Sequence, residues 1–140
     1  MKKFFNTSGP CKRDRHYLVD RPHDAASLSE LVDAEKYFVH HAPRQTGKST
    51  LFIDFCSRLN QEGDYTALYI NVEGAQTTRN DVERCLKAVL SEVWGQQQVQ
   101  LPHGEQFDTQ PFIERLNENT LNEYLTQWCM NNPKPIVLVI

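Results

Sequence analysis

The sequence lacks any apolar run approaching the roughly 18 residues that cross a bilayer as a helix, so no membrane span is expected. It lacks a charge surplus: Lys+Arg total 15 against Asp+Glu 18, for a net charge of −3. That balance excludes a broadly basic nucleic-acid coat. Lys2, Lys3, Lys12, Arg13, Arg15 and Arg21 give the first 22 residues a local positive bias. This stretch reads as a solvated loop, and nucleic acid is not expected as a partner. No apolar h-region follows Met1-Lys2-Lys3, so no signal peptide is read. Cysteine is sparse, at Cys11, Cys56, Cys85 and Cys129, with no C-x-x-C pair. The expectation is reduced thiols in a cytoplasmic protein. The histidines show no ligand spacing with cysteines or carboxylates. His40 and His41 are adjacent, and in a strand they would point to opposite faces, unable to hold one ion together. No internal repeat is evident.

What remains is a chain of 140 residues with 39% hydrophobic and 10% aromatic content, the composition of one globular domain. Asp24 to Ala34 has helical spacing, with Leu28, Leu31 and Val32 on one face and Ser27-x-x-Glu30 resembling a capping box. Tyr37–His41 is a short β-rich run that stops at Pro43. Leu51, Phe52, Phe55, Cys56 and Leu59 predict a second helix, ended by Gly63. Tyr65 to Val72 reads as a strand. Val82, Cys85, Leu86, Val89, Leu90, Val93 and Trp94 predict a helix from Asn80 to Trp94, with Asn80 and Glu83 as its capping box. The polar, Gln-rich stretch 95–110 reads as a surface insertion. Thr109 precedes Pro111 as a helix start, and Thr120-x-x-Glu123 begins a helix carrying Leu121, Leu125 and Trp128. Pro135–Ile140 is wholly apolar after its proline, as in a parallel strand buried on both faces. Alternating strands and helices predict a doubly wound α/β architecture with a parallel sheet.

The chemistry is concentrated in Ala42-Pro43-Arg44-Gln45-Thr46-Gly47-Lys48-Ser49-Thr50. This matches the last part of the phosphate-loop pattern G-x-x-x-x-G-K-[ST], with Ala42 at the first glycine. A G-K-[ST] triplet is expected by chance about 0.07 times in such a chain. Requiring Gly or Ala five residues earlier lowers that to about 0.01, and a flanking strand and amphipathic helix lower it further. Gly47 permits a tight loop and close approach of a phosphate. The helix beginning near Lys48 offers free N–H groups and a partial positive charge to an anion. Lys48, the candidate catalytic residue, can reach β- and γ-phosphates, and the Ser49 hydroxyl can ligate Mg2+. Thr46 lies within the same nucleotide-binding loop. Thr50 is either an α-phosphate contact or an ordinary first-turn residue. Arg44 and Gln45 are either nucleotide sensors or solvated loop residues. Ala42 should keep a negative φ and alter the loop's geometry without abolishing binding. Glu73, after the second predicted strand, is a further residue expected at the carboxyl end of a sheet.

His16-Tyr17-Leu18-Val19-Asp20-Arg21-Pro22-His23-Asp24, followed by Tyr37 through the APRQTGKS loop, resembles the bacterial AAA-like ATPase domains related to the signal-transducing (STAND) ATPases. The resemblance runs from about Phe5 to Ile140. It implies a P-loop NTPase-type doubly wound parallel sheet in which the Walker A and Walker B strands are separated by a later strand. It divides the chain into a lead segment and first helix, 1–36, and a P-loop core, 37–140. It also implies an adenine pocket built partly by the lead, with Tyr17, Val19 and Arg21 as adenine or ribose neighbours, and ATP and Mg2+ as ligands. Pro135–Ile140 would be the Walker B strand, whose acidic residues should follow directly. The chain is therefore expected to be the N-terminal portion of a longer ATPase, truncated after that strand, with a protein partner or self-association through the regions beyond. The function implied is ATP binding, with hydrolysis in the longer protein, as a nucleotide-driven switch. A nucleotide-binding regulatory or scaffold module without turnover and a P-loop small-molecule kinase are the alternatives.

Overall fold

The computed structural model describes residues 2–7, 9–43, 46–78 and 80–140. The fold is mixed α/β, mostly helical, with a two-stranded parallel sheet. The order is α1 (Pro22–Asp33), α2 (Lys48–Glu62), β1 (Thr66–Tyr69), a 3-10 segment (Glu73–Thr78), α3 (Val82–Gln100), a 3-10 turn (His103–Glu105), α4 (Gln110–Ile113), α5 (Thr120–Asn131) and β2 (Ile136–Val139). The chain divides into two compact units, Met1–Phe55 and Cys56–Ile140, and the division falls within α2.

In the first unit the lead segment is held by local bonds. Phe4 and His16 form an isolated parallel bridge, and their rings meet edge to face at 4.8 Å. The His16 Nδ1 accepts the Lys12 N–H at 3.0 Å, closing the turn between them. The lead then reaches α1, which begins two residues before the Asp24 start expected from spacing. Its N-cap is Arg21, so Ser27-x-x-Glu30 lies inside the helix and caps nothing. Leu28 is buried on this helix, with Leu31 and Val32 half-buried beside it.

Tyr37–His41 is not a strand. Tyr37 and Val39 stand fully in solvent, at 104% and 91% exposure. The run has the residue types of a strand, but a strand exists only through ladder hydrogen bonds to a partner. The following helix is as expected: α2 places Phe55, Cys56 and Leu59 on a buried stripe. Gly63 ends it at φ 90°, its N–H returning to the Leu59 carbonyl. Burial pushes the Cys56 thiol up to about 12, which leaves it a small hydrophobe.

The second unit is built around β1, shorter than the Tyr65–Val72 run that predicts it. Thr66, Ala67 and Leu68 are fully buried. One edge pairs in parallel with β2, Thr66 opposite Ile136 and Tyr69 opposite Val139. The Thr66 and Ile70 amides donate to the Pro135 and Val139 carbonyls, both at 2.9 Å. The opposite edge is closed by side-chain amides. Asn60 accepts the Ala67 N–H at 2.7 Å and donates to its carbonyl at 2.8 Å. Gln100 does the same for Tyr69, at 3.0 and 2.8 Å. Two carboxamides thus satisfy the backbone groups that a neighbouring strand would otherwise take. On β2 the alternation leaves the polar groups of Ile136, Leu138 and Ile140 on its outer edge. β2 is half-buried throughout, not buried on both faces, because β1 is its sole neighbour among the described strands.

The expected insertion at 95–110 is instead part of the core. α3 continues through the exposed Gly95 to Gln100. Gln97 is completely buried. It donates to the Tyr124 hydroxyl at 2.8 Å and accepts the Phe107 N–H at 2.7 Å. Both the amide and the carbonyl of the buried Gln97 side chain therefore have partners. Leu68, Ile70, Leu90, Val93, Leu101, Tyr124 and Trp128 form the surrounding apolar cluster. The ends of the predicted α3 stripe turn outward, Val82 at 61% exposure and Trp94 at 36%. Asp81, not Asn80, caps α3 by accepting the Arg84 N–H at 3.0 Å. α4 begins after Thr109 as expected. At α5 the cap shifts by one: Asn119 is the N-cap, while the Thr120 hydroxyl accepts the Asn117 N–H at 2.7 Å.

At the amino ends of both strands lies a polar knot. The Lys134 ammonium donates to Glu105 at 2.6 Å, and so does the Thr66 hydroxyl at 2.6 Å. Asn132 donates to Thr66 at 2.8 Å. Burial pushes the Glu105 carboxyl up, but the Lys134 and Thr66 hydrogen bonds outweigh it and hold the group below its ordinary value. Ligands of parallel sheets gather at the carboxyl ends of the strands, so this knot reads as a structural tie.

Candidate phosphate-binding loop

The loop that leads into α2 is shaped by one glycine and one lysine. Gly47 has φ 80°, a conformation L side chains rarely adopt, and its carbonyl accepts the Leu51 N–H at 2.9 Å. Helix α2 begins at Lys48, so the N–H groups of its first turn lack intrahelical partners. The Lys48 ammonium folds back across the loop and donates to the Ala42 carbonyl at 2.8 Å and the Pro43 carbonyl at 2.6 Å. The Thr46 hydroxyl donates to the Pro43 carbonyl at 2.8 Å. The Ala42 and Pro43 carbonyls are thereby held by the loop's own cation and hydroxyl. Among the described residues, positive φ outside glycine occurs at Glu35 and Asn80, so Ala42 keeps the negative φ expected of it.

Ser49 is exposed at the second position of α2, where a hydroxyl can face an incoming ion. Thr50 is half-buried, and its hydroxyl oxygen accepts the Cys11 N–H at 3.1 Å. That bond ties the lead segment to the helix start and gives Thr50 a structural role. A second tie lies one turn on. Arg13 holds Asp54 through two bonds, at 2.6 and 2.9 Å, and reaches Asp20 at 3.0 Å. Its hydrogen bonds to Asp54 and then Asp20 raise the guanidinium's pKa further.

The lead segment delivers one of its three candidates to the loop. Arg21 donates through Nη2 to the Thr46 carbonyl. A Cβ placed on Gly47 would lie 3.7 Å from that nitrogen. Tyr17 is half in solvent and stacks on Phe5 at 4.9 Å, and Val19 is 86% exposed. Arg44 and Gln45, also candidates, lie outside the described residues. Glu73 is exposed at the start of the 3-10 segment after β1, its amide donating to the Asn71 side chain at 2.9 Å.

No family model, curated protein or solved structure matches the chain.

Sequence reasoning missed two partners of this loop. The Arg13–Asp54 tie had a faint signal in the basic lead, whose cations need anionic partners on a neighbouring helix, whereas the Cys11–Thr50 tie, a backbone N–H to a hydroxyl, had none. No described group of three or more His, Cys, Asp or Glu side chains could hold a metal ion. Among the described residues no helix is long and apolar enough to cross a membrane.

Proposed function

We propose that this chain binds ATP, together with Mg2+, through the loop from Ala42 to Thr50. In this reading the phosphates sit against the first-turn amides of α2, Lys48 moves from the loop carbonyls to the β- and γ-phosphates, and Ser49 ligates Mg2+. The observation that carries it is the return of the Lys48 ammonium to the Ala42 and Pro43 carbonyls beside Gly47 at φ 80°. A neutral carbonyl is a weaker acceptor than a phosphate oxygen, so an incoming triphosphate would displace it.

The sheet is compatible with a P-loop NTPase-type order of the AAA-like, STAND-related kind. β1 is sealed on its outer edge by Asn60 and Gln100, as a terminal strand would be. Any further strand would pair through the outer edge of β2, where the polar groups of Ile136, Leu138 and Ile140 lie. ATP would then act as the ligand of a cytoplasmic nucleotide-driven switch, whose terminal phosphate orders the segments around the loop.

Titration of the chain with a fluorescent ATP analogue tests this. Saturable, Mg2+-dependent binding is expected. Lys48→Ala should weaken it about 10- to 100-fold, the loss of one charge-assisted phosphate contact. Ser49→Ala should remove the Mg2+ dependence while leaving metal-free binding in place. Unchanged affinity in Lys48→Ala would remove the assignment.

A further inference from the structure

We infer that Arg21 is a phosphate-binding residue of this loop, contacting the terminal phosphates of the nucleotide and not its base or ribose. The inference rests on the nucleotide reading above and adds a second cation to it. Arg21 occupies the N-cap of α1, so its backbone is fixed by the helix that follows. From there its guanidinium extends to the loop and donates to the Thr46 carbonyl, beside Gly47. Its other amino group lies 3.8 Å from Asp24, a loose tether, and the side chain remains 38% exposed.

The two cations therefore share one pattern. Lys48 is held by neutral carbonyls at the start of the loop, and Arg21 by a neutral carbonyl at its end. A guanidinium has five N–H donors in a planar fork matched to phosphate oxygens. The Thr46 carbonyl engages one donor through a hydrogen bond, and an anion of several charges can engage the others while that bond persists or gives way. An adenine neighbour has no need of a cation placed against the glycine of the loop. Tyr17 and Val19, which precede Arg21 in the lead, present exposed apolar surface better suited to a base.

The test is calorimetric binding of ATP and of inorganic tripolyphosphate, each with Mg2+, to the full chain and to Arg21→Ala, Arg21→Gln and Arg21→Lys. Tripolyphosphate carries the phosphate tail without base or ribose. The wild-type chain should bind both. Arg21→Ala should weaken both by the same factor, about 10- to 100-fold. Glutamine can still donate to the Thr46 carbonyl but carries no charge, so Arg21→Gln should behave like Arg21→Ala. Arg21→Lys should recover part of the loss. A fall for ATP but not for tripolyphosphate would place Arg21 at the base or ribose and overturn the inference. Full affinity in Arg21→Gln would overturn it too, reducing Arg21 to a brace for the loop. Wild-type binding left unchanged in Arg21→Ala would remove Arg21 alone. A wild-type chain that binds neither ligand would remove the nucleotide reading itself, and this inference with it.

Discussion

The unit Met1–Phe55 and the unit Cys56–Ile140 use apolar residues in opposite ways. In the first, Leu28 and Phe55 are the buried hydrophobics among the described residues, while Phe4, Phe5, Tyr17, Val19, Tyr37 and Val39 are exposed. In the second, Leu68, Ile70, Leu90, Val93, Leu101, Tyr124 and Trp128 close into one cluster. The first unit is instead tied by polar contacts: Arg13 to Asp54 and Asp20, Cys11 to Thr50, Lys48 and Arg21 to loop carbonyls. Contacts between neutral backbone and cations can be exchanged for an anion at little cost, whereas a packed aromatic cluster cannot be exchanged for anything. The comparison teaches where each property resides. The packed core belongs to the second unit, and the exchangeable contacts at which the proposed ligand would act belong to the first.

The largest expected effect is Trp128→Ala. Trp128 is 1% exposed and central to the cluster. Its truncation should lower unfolding free energy by about 3–5 kcal/mol, read from urea unfolding. Gln97→Ala comes next, at about 2 kcal/mol, because it strips partners from the Phe107 amide and the Tyr124 hydroxyl. A loss as small as that of a surface residue would show that the second unit is not organised around this polar centre.

Glu105 offers a pH-dependent version of the same test. Its carboxyl is held below the ordinary glutamate value of 4.5 by Lys134 and Thr66, which outweigh burial. Its contribution to stability is therefore complete above that value and is lost as pH falls through the lower, folded one. Urea midpoints measured at pH 6 and at pH 3 should differ more in the wild-type chain than in Glu105→Gln. At pH 6 that substitution should cost about 1.5 kcal/mol. Equal pH dependence in both would contradict the assignment. The smallest effect is predicted in the first unit. Arg13→Ala breaks exposed pairs only, with side chains 59% and 43% exposed at the Asp54 contact. It should cost less than about 1 kcal/mol. A larger loss in the same urea assay would mean that the first unit carries stability the comparison denies it.

The same contrast explains which parts were legible in the sequence. The helices were, since Leu51, Phe55, Cys56 and Leu59, or Leu86, Val89, Leu90 and Val93, repeat at helical spacing whatever surrounds them. Both observed strands were located, because Thr66–Tyr69 and Ile136–Val139 lie inside β-branched or apolar runs. Tyr37–His41 has the same chemistry without a ladder, and propensity cannot announce whether a partner strand exists. Gln97 and Gln100 were hidden by their polarity. Their spacing held the signal, since Gln97 follows Val93 by four residues and Leu90 by seven, on the buried stripe of α3. In the candidate site, Gly47, Lys48 and Ser49 were legible as a contiguous pattern. The approach of Arg21 to Thr46, across 25 positions, depends on how α1 is capped and could not be read from spacing.

Hydrogen–deuterium exchange on the full chain, with and without Mg2+ and ATP, tests the central claim most directly. Phosphates seated in the loop would engage the first-turn amides of α2. Protection is therefore predicted in peptides covering residues 46–50, with residues 85–101 and 120–131 unchanged. No change at 46–50, or protection centred on the Leu90–Trp128 cluster, would contradict the account.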